Sequence, residues 1–314
     1  MSRWKILLSL FLLVLIAIPG IAAENRLPVF VSILPQQYFV QQIGGDHVDV
    51  QVMVQPGASP ATYEPRPRQM TALADARLYF SIGVAFETVW LDKIMAANPS
   101  MTLVRTDDGI EKIPMAAHHH DAEEAHQHDA EEAHHEADAH HAGNPGDERG
   151  EHGILDPHIW LSPPLVRLQA GTILNALTAA DPGRSKNYET NYRRFVNEID
   201  ALDRDLKTLF SGKEGLPFMV FHPAWGYFAQ AYGLKQVPIE IEGKDPKPAQ
   251  LQVMIENART QGIRVVFVQP QFSVKRAELV AREIGGQVTF ADPLALDWLT
   301  NLRAVAGKFE AALQ

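Results

Sequence analysis

Cysteine is absent from the 314 residues, which excludes a disulfide framework, a thiolate zinc finger and a thiolate-held iron–sulfur cluster. An excess of positive charge is missing too. The formal charge is −10, the wrong sign for a protein that holds nucleic acid by neutralising phosphates. Residues 118–152 carry eleven acids and one Arg, so the rest of the chain is balanced and its charge points to no partner. No apolar run after the first twenty residues is long enough to cross a bilayer, which takes about 20 residues. Motifs of common enzymes are also missing: there is no G-x-S-x-G, no Walker A and no G-x-G-x-x-G. His135-Glu136 is followed by His140, one position too far for a zincin helix.

What is present begins with an export signal. Arg3 and Lys5 precede an apolar run from Ile6 to about Ile18, then Pro19-Gly20 and the small residues Ala22 and Ala23. These are the n-region, h-region and cleavage site of a signal peptide at 1–23, with an uncleaved N-terminal anchor as the alternative. The reading places the mature protein in a bacterial periplasm. An apolar content of 46% suffices for real cores, and the length suggests about two domains.

Residues 24–180 read as a first α/β lobe. Val29–Leu34 is apolar and β-branched enough for a buried strand, and the helix after it stops at Gly44-Gly45. Val48, Val50, Val52 and Val54 alternate with Asp49, Gln51 and Met53 at a period of two. Further strands are expected at 78–82 and 101–104, with a helix over about 67–76. Alternating strands and helices imply a parallel sheet covered by helices. Asp181-Pro182 opens a long helix over 181–210, with a capping side chain and Pro at the first helical position. In it Tyr188, Tyr192, Phe195, Ile199, Leu202, Leu206 and Leu209 form one apolar stripe roughly 45 Å long. The same spacing would serve a coiled-coil seam. Three heptads containing Tyr and Phe suit better a helix lying lengthwise against both lobes. The second α/β lobe, 211–314, has strands expected at 218–221, 236–241, 264–269 and 287–290. Its helices are expected at 224–232, 248–261, 275–284 and 295–312.

Residues 116–153 interrupt the first lobe. His-Asp-Ala-Glu-Glu-Ala-His occurs at 120–126 and again at 128–134, and ten of the thirteen histidines fall here: His118, His119, His120, His126, His128, His134, His135, His140, His141 and His152. So charged a segment cannot bury enough apolar surface to order itself, and a disordered insert is expected. Its histidines can bind metal as neutral imidazoles; the plainer alternative is a solvated linker. Imidazole and carboxylate in a chain without thiols suit Zn²⁺.

His222 follows the strand at 218–221, and Asp292 the strand at 287–290, where ligands of α/β sheets bind. His158 stands in a loop of the first lobe. Each has an ordinary structural role open to it, as a buried His or an Asp-Pro turn. Two His and one carboxylate converging from two lobes would suit a divalent metal. From the residues alone, the chain reads as an exported two-lobed metal binder, not an enzyme. A periplasmic zinc metallohydrolase with an open coordination position is the alternative, although no general base is identifiable by spacing.

Several motifs then occur in order: Ser32-Ile33-Leu34-Pro35; Pro56-Gly57-Ala58-Ser59-Pro60 with Tyr63-Glu64-Pro65; the His-rich insert; Asp156-Pro157-His158-Ile159-Trp160-Leu161-Ser162-Pro163; Phe221-His222-Pro223-Ala224-Trp225-Gly226-Tyr227-Phe228; Glu242-Gly243-Lys244-Asp245-Pro246-Lys247-Pro248; and Asp292-Pro293-Leu294. In this order they resemble the metal-binding solute receptors of ABC transporters, specifically those of high-affinity zinc uptake. The resemblance implies two α/β lobes joined by one long rigid helix and a metal held between them. It also implies a monomer that delivers its ion to a membrane permease. His158, His222 and Asp292 match the family's ligand positions, and His at 222 favours zinc over manganese or iron. Some members of the family are described as surface adhesins. The family's usual His in the loop Pro-Gly-x-Ser-Pro-His is Ala61 in this chain. The fourth ligand is therefore a water, Glu64, Tyr63 or a histidine of the insert.

Overall fold

The computed structural model describes residues 26–115, 155–240 and 246–313. The signal peptide at 1–23, the insert with its ten histidines and most of the Glu242–Lys247 motif lie outside the described residues. Among the described residues, no helix is long and apolar enough to cross a membrane.

The first lobe contains β1 (Leu27–Val31), α1 (Leu34–Gly44), β2 (Val48–Val52), α2 (Pro67–Ala72), β3 (Leu78–Ser81), α3 (Ala85–Ala97), β4 (Thr102–Arg105) and α4 (Pro163–Ala180). Its four strands form a parallel sheet in the order β2-β1-β3-β4. The second lobe repeats the plan with β5 (Pro217–Val220), α6 (Gly226–Ala231), β6 (Lys235–Pro238), α7 (Pro248–Thr260), β7 (Val265–Val268), α8 (Val274–Glu283) and β8 (Gln287–Phe290), in the order β6-β5-β7-β8. Between the lobes runs α5 (Ser185–Leu209), and the described chain ends in α9 (Trp298–Ala312). In each sheet the chain first moves outward from the central strand, then returns to its other side. The crevice at that reversal opens beyond the carboxyl ends of the strands.

The apolar stripe of α5 is buried at Tyr188, Phe195, Val196, Ile199, Leu202 and Leu206. It packs lengthwise, as the periodicity requires, on α1 and α4 of the first lobe and on α9. Phe195 meets Tyr38 and Phe39, while Phe210 at the other end meets Phe228 and Tyr232 of the second lobe. A second helix makes the same crossing. Trp298, at the start of α9, lies edge-on to Phe39 with ring centroids 5.2 Å apart. Phe309, near the end of α9, sits 4.5 Å from both Phe218 and Phe267. Indole hydrogen bonds reinforce this contact: Trp298 Nε1 donates to Trp160 O at 2.6 Å, and Trp160 Nε1 to Pro293 O at 2.7 Å. One continuous apolar cluster therefore runs from the first sheet to one face of the second.

Some details differ from the sequence reading. The strand expected at 29–34 ends at Val31, because Gln36 Oε1 accepts from the N–H groups of Ser32 and Ile33 and turns the chain into α1. Asp181 does not cap the long helix through backbone N–H groups. A 3-10 turn, Pro182–Arg184, comes first, and the Asp181 carboxylate accepts from Arg184 and from Tyr188 Oη. Pro114 and Leu155 form an antiparallel bridge, so the two ends flanking the insert lie side by side.

Candidate metal centre

His158 owes its position to the Asp156-Pro157-His158 turn. The buried Asp156 Oδ1 accepts from both the backbone N–H of His158, at 2.8 Å, and its ring Nδ1, at 2.7 Å. Tyr227 Oη, from the second lobe, donates to Asp156 O at 2.8 Å. Gly226 explains how Asp156 fits so near α6. A Cβ there would stand 2.7 Å from Asp156 Oδ2, closer than real Cβ atoms approach. Burial pushes the pKa of His158 down, outweighing the opposing pull of Asp156, and His222 adds to the lowering. The ring is thus held neutral at physiological pH. A carboxylate can only accept, so Nδ1 carries the proton and Nε2 keeps a free lone pair.

His222 follows the central strand β5 and is built the same way. Glu240 N donates to Phe221 O at 2.9 Å, which extends the β5–β6 pairing and sets the Glu240 carboxylate beside the ring. Its Oε2 lies 2.5 Å from His222 Nδ1, again leaving the Nε2 lone pair available. Phe272 stacks on the other face of the imidazole at 5.2 Å. The rings of His158 and His222 meet edge-on with centroids 5.3 Å apart. One imidazole comes from each lobe, and each is paired through Nδ1 with a buried carboxylate.

Both rings line a cavity of about 280 Å³ between the lobes. Ser59, Pro60, Ala61, Gly83 and Val84 form its wall in the first lobe; Gln269, Gln271, Phe272, Pro293 and Leu294 form the opposite wall. The turn at 82–83 is held from beneath by Glu87, whose carboxylate accepts from Ile82 N, Gly83 N and Ser32 Oγ. Burial raises the pKa of Glu87 against these hydrogen bonds.

The other expected ligands are placed differently. Asp292 Oδ1 accepts from Gln271 Nε2 at 3.1 Å and from Leu294 N at 2.9 Å. Asp292 is not among the residues that line the cavity, and its Oδ2 takes neither bond. Tyr63 is turned away, its hydroxyl donating to Gln69 at 2.6 Å and its ring packed on Phe86. Glu64 is exposed and is not part of the cavity wall. Ala61 lines the cavity and has no side-chain atom that could ligate. Among the described residues, no three His, Asp or Glu side chains already stand close enough to hold an ion. The sequence reading missed Glu240, Gln269 and Gln271. Only the strand-end position of the glutamines, just past β7, hinted at a role.

Comparison with known proteins agrees with this architecture. The family described as "ZnuA: Zinc-uptake complex component A periplasmic" matches residues 29–312. The high-affinity zinc uptake system protein ZnuA of Bacillus subtilis is 30% identical over 275 residues, covering 86% of this chain and 79% of that protein. The zinc-binding protein AdcA of Streptococcus pyogenes is 26% identical over 292 residues, 92% of this chain but 54% of its own length. The chain thus spans about half the length of the AdcA proteins it matches. A crystal structure of ZnuA superposes with a TM-score of 0.79 at 39% identity, covering 92% of this chain and all of that one. A ZnuA deletion mutant with zinc bound gives 0.78 at the same identity, covering 92% of this chain and 99% of that one. The shared fold and the match across both lobes agree: this chain belongs to the family of periplasmic zinc-uptake component A proteins.

Proposed function

We propose that the protein is a periplasmic receptor that captures Zn²⁺ between its lobes and delivers it to the membrane permease of an ABC importer. The observation that carries this is the pair of imidazoles, one per lobe, whose Nδ1 protons are spent on Asp156 and Glu240 and whose Nε2 atoms are left for an ion. Neutral imidazole is a strong ligand for Zn²⁺ and a weaker choice for Mn²⁺. His158 and His222 are the first two ligands. Asp292 is the third, through the Oδ2 that takes neither of the bonds that hold Oδ1. Three protein ligands with one open position is an arrangement from which zinc exchanges readily. The histidines of the insert act as a collecting antenna: its flanking residues Met115 and Leu155 both line the cavity.

The test is metal analysis of protein purified without chelator, followed by chelator-competition titration. Wild type should hold one tight zinc equivalent. The double variant His158→Ala/His222→Ala should lose it, since removing ligands unmakes a four-coordinate site. Wild-type affinity in the double variant would refute the assignment.

A further inference from the structure

His158 and His222 come from different lobes, so the gap between their rings depends on what ties one loop to the other. The His158 ring follows Asp156, whose Oδ1 accepts from both its backbone N–H and its Nδ1. Asp156 is in turn held at both ends of its own backbone. Its N–H donates to Ile113 O at 2.9 Å, and its C=O accepts from Tyr227 Oη at 2.8 Å. The same hydroxyl accepts from Ile113 N at 3.1 Å, which closes a ring of hydrogen bonds through the three residues. Ile113 and Asp156 flank the Pro114–Leu155 bridge of the first lobe, whereas Tyr227 belongs to α6 of the second.

Tyr227 shares a short segment with His222, and the chain between them is fixed by its own hydrogen bonds. Ala224 N donates to His222 O at 2.8 Å, and Trp225 N to Gln236 Oε1 at 2.6 Å. Tyr227 is 2% exposed, and burial pushes its hydroxyl pKa up to about 12, so it keeps the proton that it gives to Asp156. One segment thus carries the second-lobe imidazole at its start and grips the support of the first-lobe imidazole at its end. On the far side of His158, Trp160 Nε1 is tied to Pro293 O. Without the hydroxyl, only that side of the ligand loop would be fastened across the lobes by the bonds named here.

We propose that Tyr227 is a positioning residue for zinc, its hydroxyl setting where His158 stands relative to His222. This rests on the zinc-receptor reading above and adds to it a residue that does not touch the ion. The ring centroids stand 5.3 Å apart. Both Nε2 atoms must meet one ion at about 2.0–2.1 Å, so a shift of Asp156 lengthens or bends one of the two bonds. Apolar packing sets the lobes side by side, but a hydrogen bond is directional, and Tyr227 aims it at the backbone that carries the ligand.

The experiment uses the full mature chain with Zn²⁺, and with Co²⁺ in its place as a probe whose visible bands report ligand geometry. Tyr227→Phe removes the hydroxyl and keeps the ring. Zinc affinity by chelator competition should fall about tenfold, the lower end for loss of an outer partner, and the Co²⁺ bands should change in position or intensity. Tyr232→Phe is the control, since it removes another buried hydroxyl of the same lobe, one bonded to Asp203 at 3.2 Å. It should leave both readings as in wild type. Independently of any variant, the Ile113 amide should be protected from hydrogen exchange in zinc-free and zinc-loaded protein alike. Wild-type affinity and Co²⁺ bands in Tyr227→Phe would overturn the proposal and leave the zinc receptor intact, with the Trp160–Pro293 bond sufficient to hold His158. Equal losses in Tyr232→Phe, or free exchange at Ile113, would overturn it as well. Absence of tight zinc binding by the wild type would overturn both readings.

Discussion

Replacing Glu240 tests whether the imidazoles are held for metal or merely packed. Its Oε2 lies 2.5 Å from His222 Nδ1, and the residue is 7% exposed, so solvent cannot substitute for it. In Glu240→Gln the amide oxygen can still accept the Nδ1 proton, but the negative charge that strengthens Nε2 as a ligand is gone. In Glu240→Leu the Nδ1–H is left unpaired, and the ring is free to rotate or to move its proton to Nε2, which blocks coordination. Removing such an outer partner costs about 10- to 100-fold in metal affinity, or about 1.4–2.7 kcal/mol at ~1.36 kcal/mol per factor of ten. Glu240→Gln should fall near the lower bound and Glu240→Leu near or beyond the upper one. Competition titration with a zinc chelator reads both. Thermal unfolding of the metal-free proteins separates site damage from global destabilisation. Affinities of both variants within twofold of wild type would refute the coupling of Glu240 to the ion.

Gly226→Ala should weaken zinc binding by about tenfold or more through the Asp156–His158 turn, because the added Cβ intrudes on Asp156 Oδ2; titration calorimetry would show it, and unchanged affinity would mean that Asp156 can move without moving His158. Trp298→Ala removes an indole buried against Phe39 and hydrogen-bonded to Trp160 O. It should cost about 3–5 kcal/mol in denaturant unfolding. Glu87 supplies a pH test. Its folded pKa is raised from the usual 4.5, so the folded state binds the proton more tightly than the unfolded one, and stability is lost as pH rises from about 4.5 through the folded value. The melting temperature of Glu87→Gln relative to wild type should therefore rise across that window; a flat difference would contradict the raised value.

Much of this architecture is legible in the sequence because it rests on short-range periodicity. The alternating valines of β2 and the 4-3-4-3 stripe of α5 each state which face must be buried. His158 and His222 are legible because both lie in loops that the β-α pattern aims at the crevice. Glu240 is not, since its role arises from a strand pairing that lays residue 240 beside residue 222. Gln269 and Gln271 are likewise silent: an amide is common on any surface, and only the fold brings these two to the cavity wall. The bridging role of α9 escapes for a similar reason. Trp298 and Phe309 lie on one helix, and nothing local says that one packs on the first lobe and the other on the second. Asp181 misleads in the opposite sense, because its Asp-Pro signature fits a capping pattern while its carboxylate is claimed by Arg184 and Tyr188.

The double crossing of α5 and α9 bears on how far the two lobes can move against each other. A wide hinge motion would have to strip Trp298 from Phe39 or pull Phe210 away from Phe228, exposing aromatic surface worth several kcal/mol at ~25 cal/mol per Å². For the receptor proposed above, the difference between loaded and empty forms is therefore expected to be local and shallow, in the loops at the mouth around Ser59–Ala61, Phe272 and Asp292-Pro293.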